Sequence, residues 1–399
     1  MFARMMHAWQ RWRVTWYPER FQGWGKTRRY FEGWYFKLVS PDEGTALAVI
    51  PGIAFDENGE GHSFVQVLDG RRNTAAYHRF PVEAFQPSKD QFALQLGQNS
   101  FSRTAMQLDL PDLKGAIQLS QSVPWPVRPF SPGIMGWYAF VPFMECYHGI
   151  VSMDSVLQGN LTLQGKDVPF DGGRGYLEKD WGRSFPSSWI WMQSNHFSQN
   201  REEASEGGLE TRGEGRREGG LENRGEGRRE GELETHGEGK REGGIQEHNQ
   251  ISSQHGALSG TQFEGQSGVQ QGVSFKASVA RIPWLGNAFV GFIGGLWVGG
   301  KLYRFTTYTG AKLTKVAVHD GHVEICIQDR THRLTVHAVR SDGAELVSPV
   351  QGLMAGRVSE SMSARLRIRL TLHNGAVVFE GEGRNAGLEV AGPYQELLT

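Results

Sequence analysis

Short segments of alternating or continuous apolar residues recur along most of this 399-residue chain. They are separated by Gly, Pro, Asn and Asp, the residues that favour turns. Short strands at such regular spacing are typical of antiparallel sandwiches and barrels, so the pattern predicts an all-β protein. The clearest predicted strands are 46–50, 63–68, 92–96, 106–110, 116–120, 288–298, 301–308, 314–318, 323–328, 333–339, 364–372, 377–380 and 388–391.

Two local patterns refine this prediction. At 157–163, Gly159 and Asn160 stand between apolar runs, and such a pair supplies the positive φ of a tight turn, which predicts a hairpin. At 365–370, arginine alternates with leucine or isoleucine, which predicts a strand with one solvated and one buried face.

A region of biased composition interrupts the strands. From about residue 201 to 244 a 12-residue unit rich in Gly, Glu and Arg repeats, and sequence rich in Gln and Gly continues to 272. Such a segment cannot bury enough apolar area to offset its chain entropy, so we predict a disordered insertion over 201–272. Glutamates interleave the arginines and aromatic residues are scarce, which disfavours an RNA-binding role.

The first residues show a helical pattern. Apolar residues at 2, 5, 6, 9, 12 and 16 recur at a spacing of three to four, and Pro18 limits the helix to the residues before it. Two interpretations remain open. One is a basic helix bearing tryptophans that rests on a membrane surface, and the other is an arm docked on its own domain.

The totals exclude some classes of protein. A net charge of −1 gives no argument for a nucleic-acid partner. Cys146 and Cys326 are far apart and form no disulfide framework, which favours a reducing compartment, and no metal-ligand spacing is present. No signal or transit peptide is evident and no segment has transmembrane length, so we expect a cytoplasmic protein that can contact a membrane peripherally.

Two tryptophan-rich segments stand out from the rest of the chain. Residues 177–197 hold three tryptophans together with acids, amides and a histidine, and residues 30–37 have the same character. Tryptophan and acid are seldom placed together without a binding or protonation role. Together the segments predict an aromatic-walled site that carries ionisable groups.

These segments resemble a known family. Tyr-Phe-Glu-Gly-Trp-Tyr-Phe-Lys at 30–37 and Glu-Lys-Asp-Trp-Gly-x-Ser-Phe-Pro-x-x-Trp-x-Trp-x-Gln-x-Asn-x-Phe at 178–197 resemble the signature segments of the tocopherol cyclase family. Weaker agreement occurs at 140–150, 299–305 and 387–390. The resemblance implies two lipocalin-like β-barrels, related to carotenoid hydratase and Diels–Alderase-type proteins. It also implies cyclisation of a prenylated quinol to a chromanol without a cofactor.

With this resemblance the chain divides into four predicted parts. Residues 1–29 form an N-terminal arm, and residues 30–200 form the N-terminal lipocalin-like barrel. The disordered insertion follows at 201–272, and residues 273–399 form the C-terminal lipocalin-like barrel.

Chromanol closure adds a phenolic O–H across an alkene. It needs an acid that is still protonated near neutral pH, an apolar pocket and π-faces for the cation. Glu178 and Asp180 share a strand face opposite Lys179 and are predicted catalytic acids, with Glu32 as a third candidate. The alternative is that Glu178 or Asp180 caps a turn or bonds to Lys179 and Arg183.

The predicted ligand-binding residues are aromatic or polar side chains near these acids. His148 is a candidate proton relay, with a structural histidine as the alternative. The alternative for the tryptophans is ordinary barrel core. The predicted binding set is Trp34, Tyr35, Lys37, Glu145, His148, Trp181, Trp189, Trp191, Gln193 and Asn195.

Three functions are compatible with this sequence. The first is a cyclase acting on an apolar prenylated small molecule. The second is a carrier that holds an apolar isoprenoid or lipid without chemistry, as lipocalin-like barrels do. The third is a hydratase in which water captures the cation. A cavity holding both Glu178 and Asp180 would favour an enzyme, because a pure carrier has little use for them.

Overall fold

The computed structural model describes residues 2–199 and 272–398 and consists almost wholly of antiparallel strands. One helix, α1 (Phe2–Val14), precedes them. The first sheet comprises β1 (Tyr30–Val39), β2 (Ala46–Phe55), β3 (Gly61–Asp69), β4 (Thr74–Phe80), β5 (Phe85–Pro87), β6 (Ala93–Leu96), β7 (Asn99–Ser102), β8 (Ala105–Asp109), β9 (Leu113–Ser120), β10 (Cys146–Leu163), β11 (Lys166–Pro169) and β12 (Arg174–Gly182).

A second sheet follows, and short 3-10 turns lie at Val82–Ala84, Gly136–Phe140, Thr307–Thr309 and Tyr394–Leu397. This sheet comprises β13 (Trp189–Ser194), β14 (His196–Gln199), β15 (Ser274–Trp284), β16 (Asn287–Val298), β17 (Lys301–Thr306), β18 (Lys312–His319), β19 (His322–Gln328), β20 (His332–Val339), β21 (Ala344–Val350), β22 (Leu353–Leu372) and β23 (Val377–Ala391).

The first sheet must curl into a barrel. Its hydrogen-bonded order runs from β4 through β3, β2, β1, β12, β10, β9, β8, β7 and β6 to β5. Laid flat, the end strands would be roughly 48 Å apart at the usual strand spacing. Only residues 81–84 join β4 to β5, and such a link reaches at most about 18 Å. The two edges of the sheet therefore come together.

The same argument applies to the second sheet. Its order begins at β17 and ends at β18, which would lie roughly 39 Å apart in a flat sheet. Residues 307–311 join them and reach at most about 21 Å. The predicted all-β class with two antiparallel barrels is thus confirmed.

Strand alternation gives each barrel wall two different faces. In β1, Trp34, Phe36 and Leu38 point into a core to which only the first sheet and its connections contribute. Tyr35 and Val39 point the other way, into a core that both sheets share. Because neighbouring residues of a strand face opposite sides, β1 contributes to both cores at once.

The hairpin predicted at Gly159–Asn160 is wrong, because β10 continues through both residues to Leu163. Gly159 has a φ of 120°. A Cβ placed there would lie 2.2 Å from the carbonyl oxygen of Ala116 on β9. Glycine at this position permits close approach of two paired strands and does not form a turn.

The boundary between the barrels differs from the prediction. The first sheet ends at Gly182, whereas β13 and β14 pair with β23 of the second sheet. Ile190 and Met192 explain this placement, because both are buried in the core of the second barrel. The predicted insertion at 201–272 lies outside the described residues except for Gly272.

Other predicted features agree more closely. The arginines at 365, 367 and 369 are exposed while the residues between them are buried, as the alternation predicts. Strand β21 was not predicted. Among residues 2–199 and 272–398, no helix has the length and apolar character that a membrane span requires.

Candidate active site

A cavity lies between the two barrels. It holds about 1380 Å³ of atom-free space, part of which is continuous with solvent. Its walls are mainly apolar and aromatic, with a few ionisable groups. From the first barrel come Tyr35, His148, Glu178 and Asp180, and from the second come Trp189, Trp191, Glu360 and Glu389.

His148, Glu178 and Asp180 form a group that we call the His148 cluster, in which Glu178 is buried and the other two are half-buried. Glu178 and Asp180 lie on one face of β12, and β10 pairs His148 directly with Asp180. His148 Nδ1 lies 2.7 Å from Asp180 Oδ1. His148 Nε2 lies 3.2 Å from Glu178 Oε2 without the alignment of a hydrogen bond. The imidazole therefore sits between two carboxylates.

Electrostatics favours the charged forms of His148 and Glu178. Burial and Lys276 lower the pKa of His148. Glu178 and Asp180 together raise it by more, so the net pKa lies above the ordinary value. Burial raises the pKa of Glu178. His148, Lys276 and the Tyr176 hydroxyl together lower it by more, so the net pKa lies below the ordinary value. The surroundings thus favour an ionised Glu178 beside a protonated His148.

Two further donors hold the Glu178 carboxylate. The Tyr176 hydroxyl donates to Glu178 Oε2 at 2.5 Å. The Trp191 indole N–H donates to the same oxygen at 3.3 Å. Charge-assisted hydrogen bonds of this kind are roughly twice as strong as neutral ones, so they fix the orientation of Glu178.

Glu360 has the opposite character. The Tyr35 hydroxyl donates to Glu360 Oε1, while Glu360 Oε2 is buried and has no hydrogen-bond partner among residues 2–199 and 272–398. Burial raises the pKa of Glu360 to about 7, against the lowering effects of Tyr35 and Lys37. Because Oε1 accepts a hydrogen bond, we place the acidic proton on Oε2.

Glu389 is a second raised acid of the same barrel. Burial, reinforced by Glu360, raises its pKa well above the ordinary value. The Trp189 indole N–H donates to Glu389 Oε2 at 2.6 Å. This hydrogen bond fixes the ring of Trp189 in the cavity wall, while the Tyr35 ring lies edge-on to Trp191 at 5.4 Å.

Glu32 is not part of the cavity, although it was a predicted acid. It points into the core of the first barrel, where Lys179 Nζ lies 2.5 Å from Glu32 Oε1. The Gln22 backbone N–H donates to both of its oxygens, at 2.9 and 3.1 Å. The Tyr30 hydroxyl donates at 2.5 Å. Trp34 lies on the same face, with Lys179 Nζ 4.7 Å from its ring centre.

Three other predicted binding residues are buried between the barrels but do not line the cavity. Lys37 Nζ donates to Gln193 Oε1 at 2.9 Å and to the carbonyl oxygen of Asn385. Burial lowers the pKa of Lys37 to about 7. The Asn195 amide donates to Asp154 Oδ1 at 3.1 Å. These contacts hold the two sheets together.

Glu145 and Trp181 also lie away from the cavity. Glu145 Oε1 is 3.5 Å from Arg183 in a partly exposed ion pair. Trp181 stacks on Tyr147 at 5.6 Å between ring centres. Both residues neighbour the cavity strands but do not line the cavity.

The sequence did not single out Glu360, Glu389, Tyr176 or Lys276. The burial of Glu360 could have been predicted, because it lies an even number of residues from other buried residues of β22 and so shares their face. Lys276 is buried, and its amine has no hydrogen-bond partner in the described part of the chain. Burial lowers the pKa of Lys276 to about 8.

The His148 cluster also has the composition of a metal-ligand set. One ligand atom from each of its residues lies within 4.8 Å of the others. However, each imidazole nitrogen faces a different carboxylate, and the cationic amine of Lys276 acts on both acids. In this arrangement His148 and Lys276 compensate the charge of the two acids.

A known protein family matches the part of the chain that contains most of this site. Residues 117–218 match the tocopherol cyclase-like family model. The resemblance found in the sequence is thus confirmed over this stretch, which contains His148, Glu178, Asp180 and both cavity tryptophans.

Curated relatives match over a shorter stretch. "Probable tocopherol cyclase, chloroplastic" of Oryza sativa subsp. japonica is 36% identical over 63 residues, which is 16% of this chain and 13% of the relative. "Tocopherol cyclase, chloroplastic" of Zea mays is 36% identical over 62 residues, with the same coverage of 16% and 13%. The chain therefore matches only about an eighth of the length of these relatives.

Two solved structures resemble the chain at low sequence identity. CghA is 10% identical, with a TM-score of 0.46, over 91% of this chain and 88% of CghA. Kievitone hydratase from Nectria haematococca is 9% identical, with a TM-score of 0.42, over 91% of this chain and 89% of that protein.

Proposed function

We propose that this protein is an isomerase that cyclises a prenylated benzoquinol to a chromanol by acid catalysis. The observation that carries this proposal is the pairing of groups across one apolar cavity. A protonated carboxyl, Glu360, faces the cavity from the second barrel, and an ionised carboxylate, Glu178, faces it from the first. The match to the tocopherol cyclase-like family supports the choice of reaction.

Glu360 is the proposed proton donor. Its Oε2 proton transfers to the less substituted alkene carbon of the prenyl chain, which leaves a tertiary carbocation and the Glu360 carboxylate. His148 is the weaker candidate, because two carboxylates stabilise its cation and so oppose loss of the proton. A neutral acid in an apolar wall has no such stabilisation to lose.

The cavity aromatics stabilise the carbocation. Trp189 and Trp191 present rings to the same space, and each ring is fixed by an indole hydrogen bond to a glutamate. Cations bind tryptophan faces more strongly than other aromatic faces, and most strongly when water is excluded. These rings are therefore proposed to lower the barrier to alkene protonation.

The His148 cluster is the proposed proton acceptor. The phenolic oxygen forms the new C–O bond to the tertiary carbon, and its O–H proton passes to the Glu178 carboxylate. Solvent exchange after product release returns a proton to Glu360 and removes one from Glu178. The sum is an isomerisation that needs no oxidant, reductant or second substrate.

The test is an anaerobic incubation of the protein with a reduced phytyl-benzoquinol in D₂O, followed by chromatography and mass spectrometry. The proposal predicts a chromanol with one deuterium bound to carbon, since the alkene proton comes from an exchangeable carboxyl. Glu360→Gln should lose this product. Glu380→Gln is a matched control, because Glu380 pairs with Arg367 and Arg369 outside the cavity.

Other outcomes identify the alternatives. A tertiary alcohol that carries one solvent oxygen would show that water captures the cation, as in a hydratase. Quinol that binds with no conversion in wild type would support the carrier.

A further inference from the structure

Large apolar side chains, most of them aromatic and exposed and the others half-buried, lie to one side of the cavity. They lie on α1, the segment 127–143 and the turn between β15 and β16, and we call this group the aromatic collar. Its members are Trp12, Trp16, Phe130, Trp137, Phe140, Phe143, Trp284 and Leu285.

Ring contacts join most of the aromatic collar in two groups. Trp16 lies 5.2 Å from Trp12 and 5.4 Å from Phe140 between ring centres. Further along the same segment, Phe143 lies 5.2 Å from Trp284. Trp12 is 62% exposed and Phe143 is 45% exposed. A monomer rarely exposes so many large apolar side chains together without an interaction partner.

The aromatic collar leads into the cavity. Tyr138 contacts both Trp137 and Trp284 of the collar, at 4.1 and 5.8 Å between ring centres, and it also lines the cavity. Phe289 lines the cavity as well and lies 6.1 Å from Trp284. The part of the collar around Trp137 and Trp284 is therefore continuous with the inner apolar wall.

The leucine in the turn between β15 and β16 is unfavourable in two ways, because it is exposed to solvent and has a left-handed backbone conformation. Leu285 is 77% exposed, and its φ of 47° lies in the left-handed region that favours Gly and Asn. Gly286 follows with a φ of 85°, which gives the turn type that prefers Asn-Gly. A leucine at such a tip is explained if the tip inserts into an apolar phase.

Charge on the same surface suits a lipid headgroup layer. Arg13 extends over the ring of Trp9 at 4.6 Å, next to Trp12 on α1. Arg128 is exposed two residues before Phe130. Arginine beside exposed tryptophan and phenylalanine is the composition of surfaces that lie in a membrane interface.

We propose that the aromatic collar docks on a lipid bilayer, so that an apolar substrate passes from the lipid into the cavity without crossing water. The route of the substrate rests on the proposed function, whereas the docking does not. The bilayer is favoured over a second copy of the chain because part of the collar adjoins the cavity, which a copy would cover.

The test is flotation of the full chain with vesicles of phosphatidylcholine, alone and with added phosphatidylglycerol, in the absence of substrate. Wild type should float, and more strongly with the anionic lipid. Leu285→Asn should weaken binding by about tenfold, since one leucine leaves the lipid. The same substitution should leave the melting temperature unchanged or higher, because Asn suits the left-handed turn. Phe143→Ser should also weaken binding.

Val377→Ser is the matched control, because Val377 is 50% exposed but takes no part in the collar contacts. Absence of flotation by wild type, or equal flotation of Leu285→Asn and wild type, would overturn the proposal. A change in oligomeric state by light scattering without a change in flotation would also overturn it, in favour of a dimer interface. Retained conversion of detergent-dispersed quinol by Leu285→Asn would separate docking from catalysis.

Discussion

Two buried acid sites lie on opposite faces of the wall made by β1 and β12. They differ in how many of their polar atoms have hydrogen-bond partners. On the barrel side, Glu32 receives hydrogen bonds on both oxygens and pairs with Lys179. On the cavity side, Glu360 Oε2, His148 Nε2 and Lys276 Nζ have no aligned partner among the described residues. Buried polar groups are normally paired, so the unpaired atoms of Glu360 and His148, which line the cavity, are available to a bound ligand.

The largest expected effect comes from breaking the satisfied pair. Lys179→Met leaves the Glu32 carboxylate buried without its cation, and we expect a loss of about 3–5 kcal/mol in the free energy of unfolding. Urea denaturation followed by tryptophan fluorescence measures this loss.

Lys276→Met is the matched control for that experiment. The amine of Lys276 is equally buried, but it has no hydrogen-bond partner among the described residues and acts on Glu178 and Asp180 only through electrostatics, so its removal should cost less than the removal of Lys179. Equal destabilisation by the two substitutions would contradict the distinction between a structural and a functional face.

Removal of the proton acceptor should affect activity more than stability. Glu178→Gln keeps the shape of the side chain but cannot accept the phenolic proton, and we expect cyclisation to slow by about 10²-fold. The initial rate of chromanol formation measures this change, with circular dichroism as the check on folding. A rate within threefold of wild type would refute the role given to Glu178.

A smaller effect on stability should depend on pH. The folded-state pKa of Glu360 is about 7, above the ordinary value of 4.5, so the folded protein binds an extra proton between these values. This contribution to stability is therefore lost as pH rises toward 7. Glu360→Gln removes the dependence, and we expect it to gain about 1–3 kcal/mol relative to wild type between pH 5 and pH 8.

Urea denaturation of both proteins at the two pH values checks this prediction. A difference between them that does not change with pH would contradict a raised pKa at Glu360.

The smallest effect tests the aromatic wall. Trp191→Leu should slow cyclisation by about tenfold, since the ring face that stabilises the cation is lost. Trp191→Phe retains a ring but not the indole N–H that bonds to Glu178, so it separates the two roles. A Phe variant as slow as the Leu variant would assign the effect to the hydrogen bond.

Much of the fold could be predicted because alternation reports burial directly. Leu366, Ile368 and Leu370 are buried in register, and short strands with turn residues led to two antiparallel barrels. The assignment of β13 to the second sheet could not be predicted, because its apolar residues fit either barrel until the pairing with β15 is known. The hairpin prediction at Gly159 was wrong for a similar reason, since close contact between strands and turn formation both favour glycine.

The site was partly predictable for the same physical reasons. Glu178 and Asp180 share a face, and both line the cavity with Trp189 and Trp191. Glu32 and Tyr35 are three residues apart in β1 and therefore point to opposite faces, although both belong to the same sequence motif. Glu360 and Glu389 could not be placed, because they reach the cavity only through packing of the second barrel against the first.

The central claim is that Glu360 donates the proton, and the pH dependence of cyclisation tests it most directly. We predict that the rate in wild type falls as pH rises through about 7, where Glu360 loses its proton. Lys37 lowers the pKa of Glu360, so Lys37→Met should move this fall to higher pH. A rate that instead increases through neutral pH, or a profile that Lys37→Met leaves unmoved, would contradict the account.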